Sequence, residues 1–209
     1  SSDLKKRDDH DNGATIVVVR PSSFSYTSVM NAWSKSQQPD MAINAYNILQ
    51  RMISDYENDV NESAQPDIVS VTAFLFACAN MPIIRDGDDD DERQSNYERK
   101  REALRLAIQT FEDVNSNPKR YGGGGYGPNQ YMYTALLKAC VRLADGETER
   151  GRLCEHVFRQ SAERGQVSKT VLNQFLKGAP FGVRKRVLGD NGVSIPKEWS
   201  RFVKMSNRP

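Results

Sequence analysis

Apolar residues recur at helical intervals in three similar stretches of the chain. The stretches read YTSVMNAWSK from Tyr26, VTAFLFACAN from Val71 and YTALLKACVR from Tyr133. Within each stretch, apolar side chains return every three or four residues, which is the spacing of one face of an α-helix. We interpret each stretch as the first helix of a repeated unit. When the threonines are aligned, the same place near the helix end falls to Trp33, Cys78 and Cys140, which we expect in the core between helices.

A second helical pattern follows each of these stretches. The three segments read AYNILQRM from Ala45, AIQTFEDV from Ala107 and CEHVFRQS from Cys154. Small residues spaced one turn from larger apolar residues let a second helix lie close against the first. The pattern therefore predicts three helical hairpins.

The junctions between the units carry signals for helix ends and helix starts. Pro66-Asp67 precedes the second stretch and Pro128-Asn129 precedes the third. Proline ends the preceding helix, and Asp or Asn is a natural N-cap for the next one. The third unit ends in Ser168-Lys169 instead, so we expect its capping to be shifted or weaker.

Three insertions make the spacing of the units unequal. NDVNESAQ precedes Pro66, RDGDDDDERQSN separates the helices of the second unit, and NPKRYGGGGYG precedes Pro128. Without them a unit is about 35 residues long, within the range of stacked helical repeats. The aspartate run and the glycines of 122–125 bury too little to offset the entropy lost on ordering, so we expect both loops to be mobile.

The patterns together predict an all-α, right-handed solenoid of stacked antiparallel helix pairs. A flexible N-terminal arm is expected over residues 1–21, where GATIVVVR either pairs as a strand or docks on a partner. Repeats are expected over 22–67, 68–129 and 130–169, followed by a partial repeat and a C-terminal cap over 170–209. Two short helical pieces in the cap, FGVRKRVLG and PKEWSRFVK, are expected to close the open end of the stack.

These motifs resemble the pentatricopeptide repeat family. The resemblance rests on YTSVMNAWSKS with AYNILQRM and PD, on VTAFLFACAN with AIQTFEDV and PN, and on YTALLKACVR. It covers roughly residues 22–178, and the later IPKEWSRFVK is similar to the ends of an algal subgroup of these proteins. The tetratricopeptide pattern fits less well, because its Trp–Leu-Gly–Tyr signature is absent.

The resemblance implies sequence-dependent binding of single-stranded RNA, one base per unit. Each base would be read by a first-turn residue of the first helix together with the last residue of the unit. The implied selectors are Thr27, Thr72 and Thr134, paired in that order with Asp67, Asn129 and Lys169. Thr with Asp implies guanine and Thr with Asn implies adenine, so we expect a G-then-A preference; Thr with Lys matches no known pairing.

Residues three positions before the selectors would hold the bases between them. They are Phe24, Val69, Tyr131 and, in the partial unit with Gln174 as selector, Val171. Phe and Tyr can stack on a base. Without the resemblance, the threonines are early-helix residues bonded to the backbone, Asp67 and Asn129 are caps, and the aromatic residues are packing residues.

Charge is distributed unevenly along the 209 residues. Residues 1–92 carry 7 Lys and Arg against 16 Asp and Glu, whereas residues 93–209 carry 22 against 11. A basic half suits an anionic partner such as nucleic acid, although solvated helix faces have the same composition. No apolar run approaches the ~18 residues of a membrane helix, so we expect a soluble chain without membrane insertion. The chain begins SSDLKK, without Met, so we expect a fragment or a processed form.

No motif points to catalysis, a metal site or a cofactor. The chain has no CxxC, only the two histidines His10 and His156, and an acidic run and a glycine run that match neither a calcium loop nor a phosphate loop. Three cysteines also argue against a disulfide-stapled secreted domain. We therefore expect no enzyme and no cofactor.

Two function classes follow from the sequence. The first is an RNA-binding protein of a mitochondrion or plastid, acting in RNA processing, stability or translation. The second is a structural subunit of a large organellar ribonucleoprotein or protein assembly, in which the repeats contact proteins. The charge of the surface that carries the threonines discriminates between them, because a basic surface suits RNA and a neutral or apolar one suits protein.

Overall fold

A computed structural model describes residues 19–82, 89–122, 127–189 and 195–200 of the chain. In these ranges the protein is all-α, with no strand. The α-helices are α1 (Ser23–Trp33), α2 (Met41–Glu57), α3 (Ile68–Ala79), α4 (Asp90–Ser116), α5 (Gln130–Leu143), α6 (Gly146–Glu163), α7 (Lys169–Gly178) and α8 (Phe181–Leu188). Most of the predicted arm, including ATIVV at 14–18, and the end of the chain with Phe202 lie outside the described residues. None of the described helices is both long and apolar enough to cross a membrane.

Consecutive helices pack as hairpins, which confirms the prediction of an all-α fold with neighbouring helices in contact. α1 packs on α2, α3 on α4, and α5 on α6. The first helices of successive units also pack on one another, α1 on α3, α3 on α5, and α5 on α7. We call α1, α3, α5 and α7 the first-helix row.

The core lies between the first-helix row and the second helices. Cys78 and Cys140 are fully buried, as predicted, while Trp33 is half-buried. Val29, which the pattern placed on the apolar side of α1, is 45% exposed, because α1 has only one neighbour in the row. Aromatic pairs join the layers, with Phe111 against Tyr133 at 5.2 Å and Phe158 stacked on Phe175 at 4.2 Å between ring centroids. The predicted second-helix positions that are buried are Ala45, Leu49, Met52, Ala107, Phe111, Val114, Cys154, Val157, Phe158 and Ser161.

The acidic insertion is helical from Asp90 onward, which corrects its prediction as a loop. Asp89 accepts a hydrogen bond from the Glu92 backbone N–H at 2.7 Å and so caps α4. Negative side chains in the first turn are favoured by the positive end of the helix dipole. The buried residues of α4 begin only at Ala103, so about three turns of this 27-residue helix extend beyond the core. Residues 83–88 of the insertion lie outside the described residues.

The residues that precede the glycine run form a strap between the first two units, while glycines 123–125, for which mobility was expected, lie outside the described residues. Residues Pro118–Tyr121 form a 3-10 helix, and the buried Tyr121 donates its hydroxyl hydrogen to Asp113 of α4. Arg120 pairs with both Glu57 of α2, at 2.5 Å, and Asp113, at 2.9 Å. Burial favours the protonated form of Asp113, but the donors of Tyr121 and Asn117 and the charge of Arg120 outweigh it and lower the pKa. The strap therefore holds α2 and α4 together.

The C-terminal helical pieces pack on α6. Glu155 of α6 accepts hydrogen bonds from Arg186 of α8 and from Arg159. A 3-10 helix at Lys197–Ser200 places the Trp199 ring edge-on to Phe158, with centroids 6.0 Å apart. The Val167 N–H donates to the Trp199 carbonyl at 2.8 Å. These contacts cover the end of the third hairpin.

We expect the Glu155 contact to make stability depend on acidity. The hydrogen bond from Arg186 outweighs the effect of burial and, with Arg159, lowers the pKa of Glu155 to about 2. Because the folded-state pKa is depressed, its contribution is present above the unfolded value of about 4.3 and is lost as the pH falls towards about 2. Glu155→Gln should therefore lower the free energy of unfolding by about 1 kcal/mol at pH 7 and progressively less below about pH 4. Urea unfolding at a series of pH values measures this difference.

Glu163→Gln is the control, since Glu163 is an exposed carboxyl of the same helix. It should change stability little at any pH. A loss in Glu155→Gln that stays the same from pH 7 to pH 3 would contradict the role assigned to its charge.

Candidate nucleic-acid interface

At the amino ends of the first-helix row, residues at the same distance from each helix start can be compared directly. Each helix starts after a side-chain N-cap, which is Ser22, Asp67, Asn129 or Ser168. Counted from these caps, the second residues are Phe24, Val69, Tyr131 and Thr170. The fifth residues are Thr27, Thr72, Thr134 and Asn173. The first three members of both sets agree with the residues that the sequence motifs aligned.

The fourth helix corrects the sequence alignment by one residue. Ser168 caps α7, accepting from the Val171 N–H at 3.3 Å, and Lys169 is the first residue of the helix. Ser168 rather than Lys169 is thus the structural counterpart of Asp67 and Asn129. By the same shift Thr170 and Asn173 replace Val171 and Gln174, and Val171 is fully buried. The third junction lacks the Pro-Asp or Pro-Asn pair of the others, so no such local marker shows where α7 starts.

Large apolar side chains stand exposed at the second place of three successive helices. Phe24 is 78% exposed, Val69 62% and Tyr131 61%. We call these three residues the apolar rank. Their exposure excludes their reading as core packing residues, and contiguous exposed apolar groups on a folded chain are typical of interaction sites.

The threonine hydroxyls bond to the backbone but keep acceptor capacity. Thr72 donates to the Ile68 carbonyl at 2.6 Å, and Thr134 donates to the Gln130 carbonyl at 2.7 Å. A hydroxyl that has donated its hydrogen still has oxygen lone pairs. Thr134 also lies 3.3 Å from the Thr170 hydroxyl of α7, while Thr27 is buried in α1. Thr72 and Thr134 can therefore accept a hydrogen bond from a ligand without losing their backbone bonds.

Asp67 and Asn129 are helix caps that use only part of their hydrogen-bonding capacity. Asp67 Oδ1 accepts from the Ser70 N–H at 2.7 Å, and the Ser70 hydroxyl oxygen accepts from the Asp67 N–H at 3.0 Å, completing a capping box. Asn129 Oδ1 accepts from the N–H groups of Tyr131 and Met132 at 3.0 and 3.1 Å. Asp67 thus keeps a second carboxylate oxygen as an acceptor, and Asn129 keeps its amide N–H groups as donors.

The first-helix row carries no negative charge. No Asp or Glu occurs in α1, α3, α5 or α7, whereas α2, α4 and α6 each contain several. The charged residues of the row are all cationic and lie in its last two helices, as Lys138, Arg142, Lys169 and Lys177. The charge that we expected to distinguish an RNA partner from a protein partner is therefore positive on α5 and α7, whereas α1 and α3 are uncharged.

Two of these cations are bonded to the carboxyl end of α3. Lys138 Nζ donates to Asn80 Oδ1 at 2.6 Å, and Asn80 Nδ2 donates to the Ser34 carbonyl at 3.0 Å. Arg142 donates to the Met81 carbonyl at 2.9 Å. Burial lowers the pKa of Lys138, and the charges of Arg142 and Lys177 lower it further. The sequence motifs do not include these residues, although a Lys–Arg pair one turn apart in a helix without carboxylates is a sequence signal for a basic surface.

The described residues offer little for other chemistry. They contain no group of three or more His, Cys, Asp or Glu side chains placed to hold a metal ion. All three cysteines are buried and free. Burial raises the pKa of each thiol, that of Cys154 to about 11. A thiol held protonated in this way is a poor nucleophile.

Comparison of the chain with models of protein families, with curated proteins and with solved structures finds no match. The likeness to pentatricopeptide repeats therefore rests on the motifs and on the residues that the helix caps bring into correspondence.

Substitutions of Asp67 separate its contribution to stability from its expected contact with a base. Asp67→Ala removes the acceptor for the Ser70 N–H and should lower the free energy of unfolding by about 1 kcal/mol. Asp67→Asn should stay within about 0.5 kcal/mol of the parent, since Asn caps helices equally well. Urea unfolding of the three proteins measures both differences, and equal losses in the two variants would argue against the cap as the stabilising interaction.

Proposed function

We propose that the chain is a non-catalytic protein of the pentatricopeptide repeat type that binds single-stranded RNA along its first-helix row. The units form a right-handed solenoid in this proposal, and the protein acts in RNA processing, stability or translation in a mitochondrion or plastid. The observation that carries the proposal is the surface of the row, which combines the apolar rank at its amino ends with cations on α5 and α7, and whose only carboxylate at a described helix cap is Asp67, the proposed base reader. Rings that stack on bases and cations that meet phosphates are the two elements of single-strand binding.

The proposed position of each base follows from the hydrogen-bonding capacity that remains at each cap. A first base would lie between Phe24 and Val69, with its edge towards Thr27 and Asp67. The free carboxylate oxygen of Asp67 accepts hydrogen bonds, which suits the imino and amino donors of guanine.

A second base would lie between Val69 and Tyr131, with its edge towards Thr72 and Asn129. Thr72 donates its hydroxyl hydrogen to the Ile68 carbonyl and so keeps lone pairs that can accept, and Asn129 accepts at Oδ1 and so keeps amide N–H groups that can donate. This pair suits the amino group and ring nitrogen of adenine. Cytosine also offers an amino group and a ring nitrogen, but on a smaller ring. An RNA with cytosine in place of adenine is therefore the informative comparison. The third place offers the hydroxyls of Thr134 and Ser168, for which we propose no base preference.

A specificity exchange tests this reading. Short RNAs with a central GA, AA, GC or UU are titrated by fluorescence anisotropy at two salt concentrations. The parent should prefer GA by about 1–3 kcal/mol over UU. Asp67→Asn should shift the preference from GA towards AA, because an amide donor replaces a carboxylate acceptor while the cap is kept.

Thr72→Ala is the second arm of this experiment and should weaken discrimination at the second base only. Weak binding that ignores sequence and falls steeply with salt would report phosphate contacts alone and would reject base reading. Absence of binding to every RNA would reject the proposed function.

The apolar rank supplies a further prediction. Tyr131→Ala should weaken binding of the GA RNA by about 1–3 kcal/mol, the contribution of one stacked base, whereas Tyr131→Phe should bind as the parent does. Tyr97→Ala is the matched control, since Tyr97 is an exposed tyrosine of a second helix. An equal loss in Tyr97→Ala and Tyr131→Ala would argue against stacking on the rank.

A structural subunit of a larger assembly is the second candidate function. The extension of α4 favours it, because residues 90–102 form helical turns that bury little within the chain. A partner protein would be expected to cover such turns. This candidate takes first place if no RNA binds.

A further inference from the structure

Four cationic side chains from three helices lie together at the carboxyl ends of α5 and α7. Lys138 and Arg142 are one turn apart on α5, and Lys177 is in the last turn of α7, which packs on α5. Lys100 belongs to α4, which also packs on α5. Burial lowers the pKa of Lys100, and the charge of Arg142 lowers it further. We call these four residues the cation cluster.

Among the residues that the structure describes, no carboxylate forms an ion pair with the cation cluster. In the described ranges none of the four side chains pairs with an acidic residue, whereas arginines nearby in the sequence do, as in Arg99 with Asp40 and Arg101 with Asp145. Like charges one turn apart on a helix destabilise it. The fold thus gathers cations where their mutual repulsion is unfavourable, which is the electrostatic character of an anion site.

The hydrogen bonds of the cluster orient two cations and leave donors free. Lys138 uses one of three ammonium hydrogens on Asn80, and Arg142 uses one guanidinium nitrogen on the Met81 carbonyl. Lys100 and Lys177 add charge without such bonds. Several N–H groups therefore remain for the oxygens of one ligand.

The position of the cluster indicates which phosphate it would meet. A backbone phosphodiester recurs at every nucleotide, so its contacts call for cations along the whole row. Here α1 and α3 have none, and the cations gather at the last helices of the row, since α8 packs on α6 instead of extending it. A terminal phosphomonoester carries about −1.5 to −2 charge at pH 7 and three acceptor oxygens, which matches several converging cations.

We infer that the cation cluster binds the terminal phosphate of an RNA strand that lies along the first-helix row. The inference rests on the proposed function, because a strand must occupy the row for its end to reach the cluster. It adds recognition of a strand end to recognition of bases.

Three short RNAs of one sequence containing GA test the inference. One carries a 5′-phosphate, one a 3′-phosphate, and one has hydroxyls at both ends; each has the same internal dye. Because the row has a direction, a phosphate at one end only should raise affinity, by about tenfold for a set of charge-assisted hydrogen bonds.

Lys100→Gln/Lys177→Gln should abolish this gain, and neither side chain forms a hydrogen bond or ion pair with another residue in the described ranges. The matched control is Lys35→Gln/Lys119→Gln, which removes the same charge from exposed lysines outside the cluster. The control should keep the gain, which is measured in each variant as the ratio of its affinities for the phosphate-ended and the hydroxyl-ended RNA. Urea unfolding of the variants checks that each is folded.

The remaining outcomes overturn the inference in distinguishable ways. An equal gain from either phosphate, or a gain that survives in Lys100→Gln/Lys177→Gln, would indicate general attraction to the extra charge. Equal binding of all three RNAs would reject the terminal-phosphate site and leave the proposed function standing. Failure of all three to bind would reject both.

Discussion

The side-chain caps at the starts of α1, α3, α5 and α7 determine what the first-helix row exposes. An α-helix has 3.6 residues per turn, so the position of its first residue determines the direction in which every later side chain projects. Because the four caps start successive packed helices, residues at the same distance from each cap fall into lines across the row. The apolar rank is one such line, and the threonines form another. The caps are therefore a folding device that also arranges a surface.

Charge is divided between the two layers of the protein. The second helices and the strap carry both signs and use them in pairs, such as Arg120 with Glu57 and Arg186 with Glu155, which join neighbouring elements. The cations of the first-helix row form no ion pair with an acidic side chain in the described ranges, although two of them bond to neutral acceptors. Paired charges thus stabilise contacts between elements of one layer. In the other layer the cations repel one another, and an anionic ligand would reduce that repulsion. This separation supports both the proposed RNA surface and the cation cluster at its end.

The insertions show how local chemistry can convert an apparent loop into structure. The acidic run reads as disordered by composition, yet aspartates favour a helix start because they cap and complement the dipole. In the glycine-rich insertion, burial of Tyr121 and the bridges of Arg120 order the residues before Gly122. Composition describes the average behaviour of a segment, whereas a few well-placed partners decide the behaviour of this one.

The sequence by itself determined that the chain forms paired helices, the caps at Asp67 and Asn129 and the correspondence of Phe24, Val69 and Tyr131, because periodicity and capping depend on near neighbours in the chain. It did not determine that α4 begins within the acidic insertion. The tertiary structure alone decided the register of α7, where Val171 turns out to be buried. It also decided that Lys100, on an inserted helix, meets cations of α5. Contacts between residues far apart in the sequence depend on helix packing and on the combined charge of several elements, which no single segment contains.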